Sequence, residues 1–238
     1  MSYTKAEQLY EGKAKRVYAT DDPKMVVVAY KDDATALDGL KRGTIAGKGV
    51  VNNRMSNLLF KYLADNGVPT HFVEEIDDRR TVVKHVKIVP LEVIVRNIAA
   101  GSFSKRFGVA EGTELANPTL EFSYKNDDLH DPMINTSQAL ALRLATPEQI
   151  ETIKKMAMRV NELLKDYFLK RDLILVDYKL EFGLFDGEVI LADEISPDTC
   201  RLWDVHTHEK LDKDRFRRDM GGVEDAYGEV YHRMGLDK

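Results

Sequence analysis

A single cysteine, Cys200, leaves no partner for an internal disulfide, so no cysteine framework holds this chain together. Tryptophan occurs once and proline seven times in 238 residues, far from a proline-rich or collagen-like composition. No apolar run approaches the ~18 residues that a membrane span needs, and Met1-Ser2-Tyr3-Thr4-Lys5 opens no signal-peptide core, so a cytoplasmic protein is expected. Several chemical signatures are missing. There is no Walker pattern, no G-x-G-x-x-G, no H-E-x-x-H, no histidine set spaced to a cysteine pair and no G-x-S-x-G elbow. P-loop, Rossmann, zinc and serine-triad chemistry are thereby excluded, and Cys200, with no base beside it in sequence, reads as a small packing residue. A net charge of −5 disfavours non-specific attraction to nucleic acid or an anionic membrane, while local basic clusters remain able to bind phosphates.

What is present is an ordinary globular balance, 43% hydrophobic and 32% charged, in a chain long enough for one large core or two modest ones. The first third reads as short β-rich runs, Leu9-Tyr10, Val17-Tyr18-Ala19 and Met25 to Tyr30, and an antiparallel sheet is their simplest assembly. From Asn52 to Asn66 the apolar spacing becomes helical, with Gly67 and Pro69 as stop signals. Thr81 to Val89 reads as one strand, Pro90 punctuates it, and Leu91 to Arg96 resumes, which sets a domain boundary between residues 1–89 and 90–238. Thr146, Pro147 and Gln149 form a capping box opening a helix whose apolar stripe continues to about Lys170. Leu173 to Gly183 and Glu188 to Ile195 then read as a hairpin around Phe185-Asp186-Gly187.

Chemistry concentrates on that hairpin. Alternation places Asp177, Lys179 and Glu181 on one face and Tyr178, Leu180 and Phe182 on the other, the core face. A three-residue loop pairs Leu184 with Glu188 and brings Asp193 opposite Lys179, where Glu181 and Asp193 suit Mg²⁺ carried by a nucleotide. A two-residue Asp186-Gly187 turn instead pairs Asp193 with Leu180 on the opposite face. The polar face also reads as a solvated edge with cross-strand ion pairs. Glu11-Gly12-Lys13-Ala14-Lys15-Arg16 could lay ammonium charges along a triphosphate or be a plain glycine turn. Arg96, at a strand end before a Gly101-Ser102 turn, could hold a phosphomonoester with Ser102 and Arg201, or be structural. Lys125, with His130-Asp131-Pro132, belongs to a polar loop able to close over a ligand.

Taken together, Ile88 to Ser102 and Leu175 to Gly183 closely resemble the two signatures of the SAICAR synthetase family, and the likeness runs from Leu9 to Asp212-Lys213-Asp214-Arg215-Phe216-Arg217. The resemblance implies an α+β fold, an N-terminal antiparallel sheet like a kinase small lobe followed by an ATP-grasp-like domain. It implies ATP-dependent joining of L-aspartate to carboxyaminoimidazole ribonucleotide (CAIR) in purine synthesis, with Mg²⁺, in a homodimer; from the charge and the lack of an apolar span, no nucleic-acid or membrane partner is expected. Carried over by position, Lys13, Lys15 and Lys125 fall to the ATP phosphates, Ala14 and Lys84 also to the ATP site, Ile88 to Glu92 to adenine and ribose, and Glu181 and Asp193 to the metal. Arg96, Ser102 and Arg201 fall to the ribonucleotide phosphate, Asp177 and Lys179 to the reacting carboxylate, and Asp38 to substrate. Leu37 departs here from a usually smaller family residue. The rivals are a small-molecule kinase or another carboxylate–amine ligase on the same scaffold, and a non-catalytic nucleotide-binding regulator.

Overall fold

The computed structural model describes residues 6–36 and 39–237; the expectation for Asp38, and the departure at Leu37, lie outside the described residues. Two antiparallel sheets and flanking helices make an α+β fold. The smaller sheet runs β1-β2-β3-β7-β6, from β1 (Gln8–Glu11), β2 (Lys15–Ala19), β3 (Met25–Tyr30), β6 (Phe72–Asp77) and β7 (Arg80–Lys84). Between β3 and β6 lie a hairpin, β4 (Asp33–Ala36) with β5 (Lys41–Thr44), and helix α1 (Lys48–Asp65). The larger sheet runs β10-β9-β8-β11-β12, from β8 (Lys87–Ile98), β9 (Glu114–Tyr124), β10 (Met133–Ile134), β11 (Leu173–Phe185) and β12 (Glu188–Ala192), with β13 (Cys200–Asp204) also pairing β11. The remaining helices are α2 (Gly101–Phe107), α3 (Thr136–Ala141), α4 (Pro147–Leu169), α5 (Asp214–Arg217) and α6 (Val223–Arg233).

Helix α4 starts where its sequence says. Thr146 caps Gln149 N–H, Gln149 caps back, and Pro147 occupies the first turn, where no N–H is needed. Its stripe of Ile150, Ile153, Ala157, Val160, Leu164 and Phe168 is buried against Leu91, Val93, Val95, Tyr178, Leu180 and Phe182 of the larger sheet. Truncating one of these, as in Ile153→Ala, costs about 2–5 kcal/mol through lost burial and the cavity left behind. Helix α1, by contrast, begins four positions before the expected Asn52. Gly47 takes a left-handed φ of 77°, and the cap comes from Asp32, whose carboxylate accepts the N–H of Gly47 and Gly49 at 3.3 and 2.8 Å. A cap from so far along the chain leaves no local signature.

Three other expectations are corrected. Thr81 to Val89 is not one strand: β7 ends at Lys84, and the chain changes sheets at His85-Val86. Pro90 sits inside β8, where pairing with β11 jumps from Glu181↔Glu92 to Gly183↔Ile88. A residue without an N–H is accommodated in such a bulge. Gly101-Ser102 opens helix α2 rather than a simple turn. Finally, Phe185 pairs with Glu188, so the hairpin turns on two residues, Asp186 and Gly187, at φ 50° and 90°. Both central residues are left-handed, the arrangement whose twist matches that of the flanking strands.

Candidate active site

Strand β11 is the axis of the site. One edge pairs with β8, and the other is shared: β13 takes Leu173 to Tyr178, and β12 takes Glu181 to Phe185. At the handover, Lys179 N–H donates to the Thr199 carbonyl at 2.9 Å, and the connection from Asp193 to Thr199 crosses there. Regular alternation from Asp177 sets it with Lys179 and Glu181 on the open face, and a bulge between Leu175 and Asp177 lets Leu175 enter the core on the same side as Tyr178.

The two-residue turn should have sent Asp193 to the wrong face. It does not, because the β12 ladder ends at Ala192 and Asp193 leaves at φ 60°. That backbone reversal undoes the strand alternation and brings Asp193 Oδ2 to 3.8 Å from Lys179 Nζ, with Oδ1 paired to Lys15 of β2. The expected neighbourhood is therefore reached by a different register.

Lys179 Nζ donates to Glu92 Oε1 at 3.0 Å and to Glu181 Oε1 at 2.5 Å, and Lys125 Nζ reaches the same Glu181 oxygen at 2.9 Å. Burial would push Lys179 down, but Glu181, Asp193 and Glu92 outweigh it and hold its pKa well above the usual lysine value. Lys15, buried beside Asp193 and Glu194, is raised in the same way. For Asp193, burial acts upward, yet Lys15 and Lys179 hold it far below the usual carboxylate range; for Glu194 burial prevails and its pKa is raised. Lys15, Lys179 and Asp193 thus stay charged and paired around one open space.

That space is a cavity of about 720 Å³ between the sheets, of a size that takes a nucleotide. Lys13, Ala14, Lys15, Lys84, Ile88, Glu92, Lys125, Lys179, Glu181 and Asp193 all line it. Val17, Val26, Val28 and Val83 of the smaller sheet give it an apolar wall. Lys13 bridges to Asp127 at 2.9 Å, and Lys84 donates to the Thr70 carbonyl at 3.1 Å.

A second cavity of about 240 Å³ adjoins it and shares Lys179, Asp198, Thr199 and Arg217 as lining. Here the register sets a row across three strands, Arg96 of β8 opposite Asp177 of β11, opposite Arg201 of β13. Arg96 Nη1 donates to Asp177 Oδ2 at 2.7 Å, Arg201 Nη1 to Oδ1 and Oδ2 at 3.0 and 2.9 Å, and Arg96 Nη2 to Ser102 Oγ at 3.1 Å. All the described candidates therefore gather at two adjoining cavities, Ser102 through its bond to Arg96.

Sequence reasoning missed Asp198, Thr199, Lys213 and Arg217, which line the cavities, and fully buried Lys48, which pairs with Asp198 at 2.9 Å. Ser196-Pro197-Asp198 and the charge-dense segment from Asp212 to Arg217 were the available signals. Lys48 gave none, since a lysine in the first turn of a helix ordinarily faces solvent.

An antiparallel α+β frame with lysines and carboxylates lining a nucleotide-sized cavity, and arginines in the next, defines a nucleotide-dependent enzyme acting on a small phosphorylated molecule. The family model for SAICAR synthetase matches residues 8–234. The phosphoribosylaminoimidazole-succinocarboxamide synthase of Lachnoclostridium phytofermentans is 63% identical over 98% of this chain and 99% of its own. The crystal structure of the synthase from Ehrlichia chaffeensis superposes with a TM-score of 0.94 at 45% identity, covering 96% of this chain and 98% of that one. A SAICAR synthetase in complex with ADP gives 0.93 at 48% identity and the same coverage. The chain belongs to the SAICAR synthetase family, ATP-dependent ligases of purine biosynthesis.

Proposed function

We propose that the larger cavity holds ATP, the smaller one holds CAIR, and Lys179 stands where the γ-phosphoryl group meets the CAIR carboxylate. The observation that carries this reading is the position of Lys179, which lines both cavities and faces Glu92, Glu181 and Asp193. The ADP complex of a 48% identical synthetase supports a nucleotide in the fold. The valine wall and Ile88 offer an apolar surface to the adenine, and the phosphates are assigned to Lys13, Ala14, Lys15, Lys84 and Lys125, which line the same cavity. Arg96, Ser102 and Arg201 fit a phosphomonoester at the far end, as forked and hydroxyl donors do.

A carboxylate is a poor electrophile. One CAIR carboxylate oxygen attacks the γ-phosphorus, ADP leaves, and the resulting acyl phosphate is attacked by the aspartate amine. The C–O bond breaks, phosphate departs with that oxygen, and an amide remains. Lys179 stays an ammonium and acts by charge and alignment, not as a base. Asp177 has both oxygens taken by guanidiniums, which suits it to aligning Arg96 and Arg201; accepting the amine proton would require those bonds to open.

Glu181 and Asp193 both approach one cation, the Lys179 ammonium, and two hard carboxylates with room for phosphate oxygens and water fit Mg²⁺. When bound, the metal would offset charge on the transferring phosphoryl group. The ATP-grasp likeness of the larger half, the division into residues 1–89 and 90–238, a cytoplasmic location and a homodimer belong to the same proposal. Among the described residues, no helix is long and apolar enough to cross a membrane.

Purified protein with Mg-ATP, CAIR and L-aspartate, each omitted in turn, provides the test. ADP release that needs both co-substrates, with a product heavier than CAIR by aspartate minus water, supports the ligase. A stable phosphorylated product without aspartate would establish a kinase, and ATP binding without turnover a regulator.

A further inference from the structure

Arg217 of α5 lines both cavities, and its Nη1 donates to Asp214 Oδ1 at 2.6 Å. The other oxygen of the same carboxylate accepts Arg201 Nε at 2.9 Å. Asp214 is itself buried at 1% exposure and contributes to the lining of neither cavity. A second buried carboxylate fixes it in place. Asp212 accepts the N–H of Asp214 at 2.7 Å and the N–H of Leu202 at 2.9 Å, tying the start of α5 to the strand that carries Arg201.

The result is an unbroken alternation of charge, Arg96–Asp177–Arg201–Asp214–Arg217, running along the wall of the smaller cavity. Glu121 closes its outer end on Arg96 Nε, and Arg218 lies 3.3 Å from Asp214 on the other side. Asp177 engages two guanidiniums and Asp214 three, so Arg201, which lies between them, cannot swing without breaking a bond at both ends. With Nε and Nη1 held by Asp214 and Asp177, Arg201 presents Nη2 toward Gly101, the residue before Ser102. Burial would push Asp214 up, but Arg201 and Arg217 outweigh it and hold it at about 2, so the carboxylate is charged at any working pH.

We propose that Asp214 is the positioning residue of the ribonucleotide site, and that Arg217 is a further guanidinium gripping the phosphorylated substrate from the α5 side. The proposal rests on the reading of the smaller cavity as the CAIR site. Asp214 acts through Arg201 and Arg217, and its loss frees two arginines rather than removing a contact to substrate.

Steady-state kinetics of the full chain, with CAIR, Mg-ATP and L-aspartate varied in turn, test it. In Asp214→Asn the KM for CAIR rises at least ~10-fold while the KM for ATP and kcat stay within ~3-fold, because preorganised, charge-assisted contacts to one substrate are lost. Asp214→Glu, which keeps the charge, recovers part of that loss. Arg217→Ala removes a partly exposed side chain and gives the same selective rise, so the outcome does not depend on Asp214→Asn folding. The double variant loses less than the product of the two single losses, as residues acting as a unit do. A fall in kcat alone, equal changes for all three substrates, or an unchanged KM for CAIR in both single variants overturns the proposal. Arg201→Ala separates the two levels. If it too leaves the KM for CAIR unchanged, the assignment of the cavity falls; if it alone raises that KM, only the roles of Asp214 and Arg217 fall.

Discussion

Lys179 and Glu181 stand on one face of β11, and the ammonium of the first donates to a carboxylate oxygen of the second at 2.5 Å. Asp193 approaches the same ammonium from the end of β12. A divalent metal arriving with the nucleotide would be held by those two carboxylates, leaving the lysine free to face the phosphates. Glu181→Gln and Asp193→Asn should each cut turnover at least ~10²-fold and weaken binding of Mg-ADP. Turnover at saturating Mg²⁺ and calorimetric titration with Mg-ADP check this; near-wild-type turnover would contradict the metal assignment.

Lys48 is wholly buried and donates to Asp198 at 2.9 Å; Tyr227 donates to the other Asp198 oxygen at 2.6 Å and Lys213 approaches at 3.1 Å. Removing one partner of a buried pair leaves a charge poorly compensated, which is costlier than never having the pair. Lys48→Met should lower unfolding stability by about 3 kcal/mol, and Tyr227→Phe by about 1–2 kcal/mol. Urea unfolding of both variants provides the measurement.

Gly101 adopts φ +53°, and a Cβ there would collide with the Arg201 guanidinium. Gly101→Ala therefore combines left-handed strain of about 1–2 kcal/mol with displacement of Arg201. The expected result is a raised KM for CAIR with the KM for ATP unchanged, together with a lower thermal midpoint.

His71 packs its ring edge-on against Phe60 at 4.9 Å between centroids and lines the larger cavity. Burial, with the Lys15 ammonium adding to it, pushes its pKa from 6.5 down to about 3. Between those values the unfolded chain binds a proton that the folded chain refuses. Stability is thus fully present above pH 6.5 and is lost as pH falls through that window toward 3. His71→Phe should flatten the dependence, losing up to ~2 kcal/mol less than wild type between about pH 7.5 and about pH 4.5. Parallel curves from denaturant titrations at the two pH values would contradict it.

Legibility in the sequence followed the range of the physical cause. Helix α4 is written locally, in Thr146, Pro147, Gln149 and the stripe behind them. So is the polar face of β11, because strand alternation needs only nearest neighbours, although the bulge that turns Leu175 into the core just ahead of Asp177 does not announce itself. The position of Asp193 came from the wrong turn length, and the outcome held only because a left-handed residue at the strand end reversed the parity. The cap of α1 by Asp32, the burial of Lys48 and the charge row through Asp214 each depend on segments far apart in sequence. No pattern within one segment encodes such pairings.

The proposed reaction turns on phosphorylation of the CAIR carboxylate before the amine attacks. CAIR labelled with heavy oxygen in that carboxylate, turned over with Mg-ATP and L-aspartate, tests it most directly by mass analysis of the phosphate released. Each phosphate should carry one labelled oxygen, and the amide carbonyl should retain the other. Unlabelled phosphate accompanying normal product formation would contradict it.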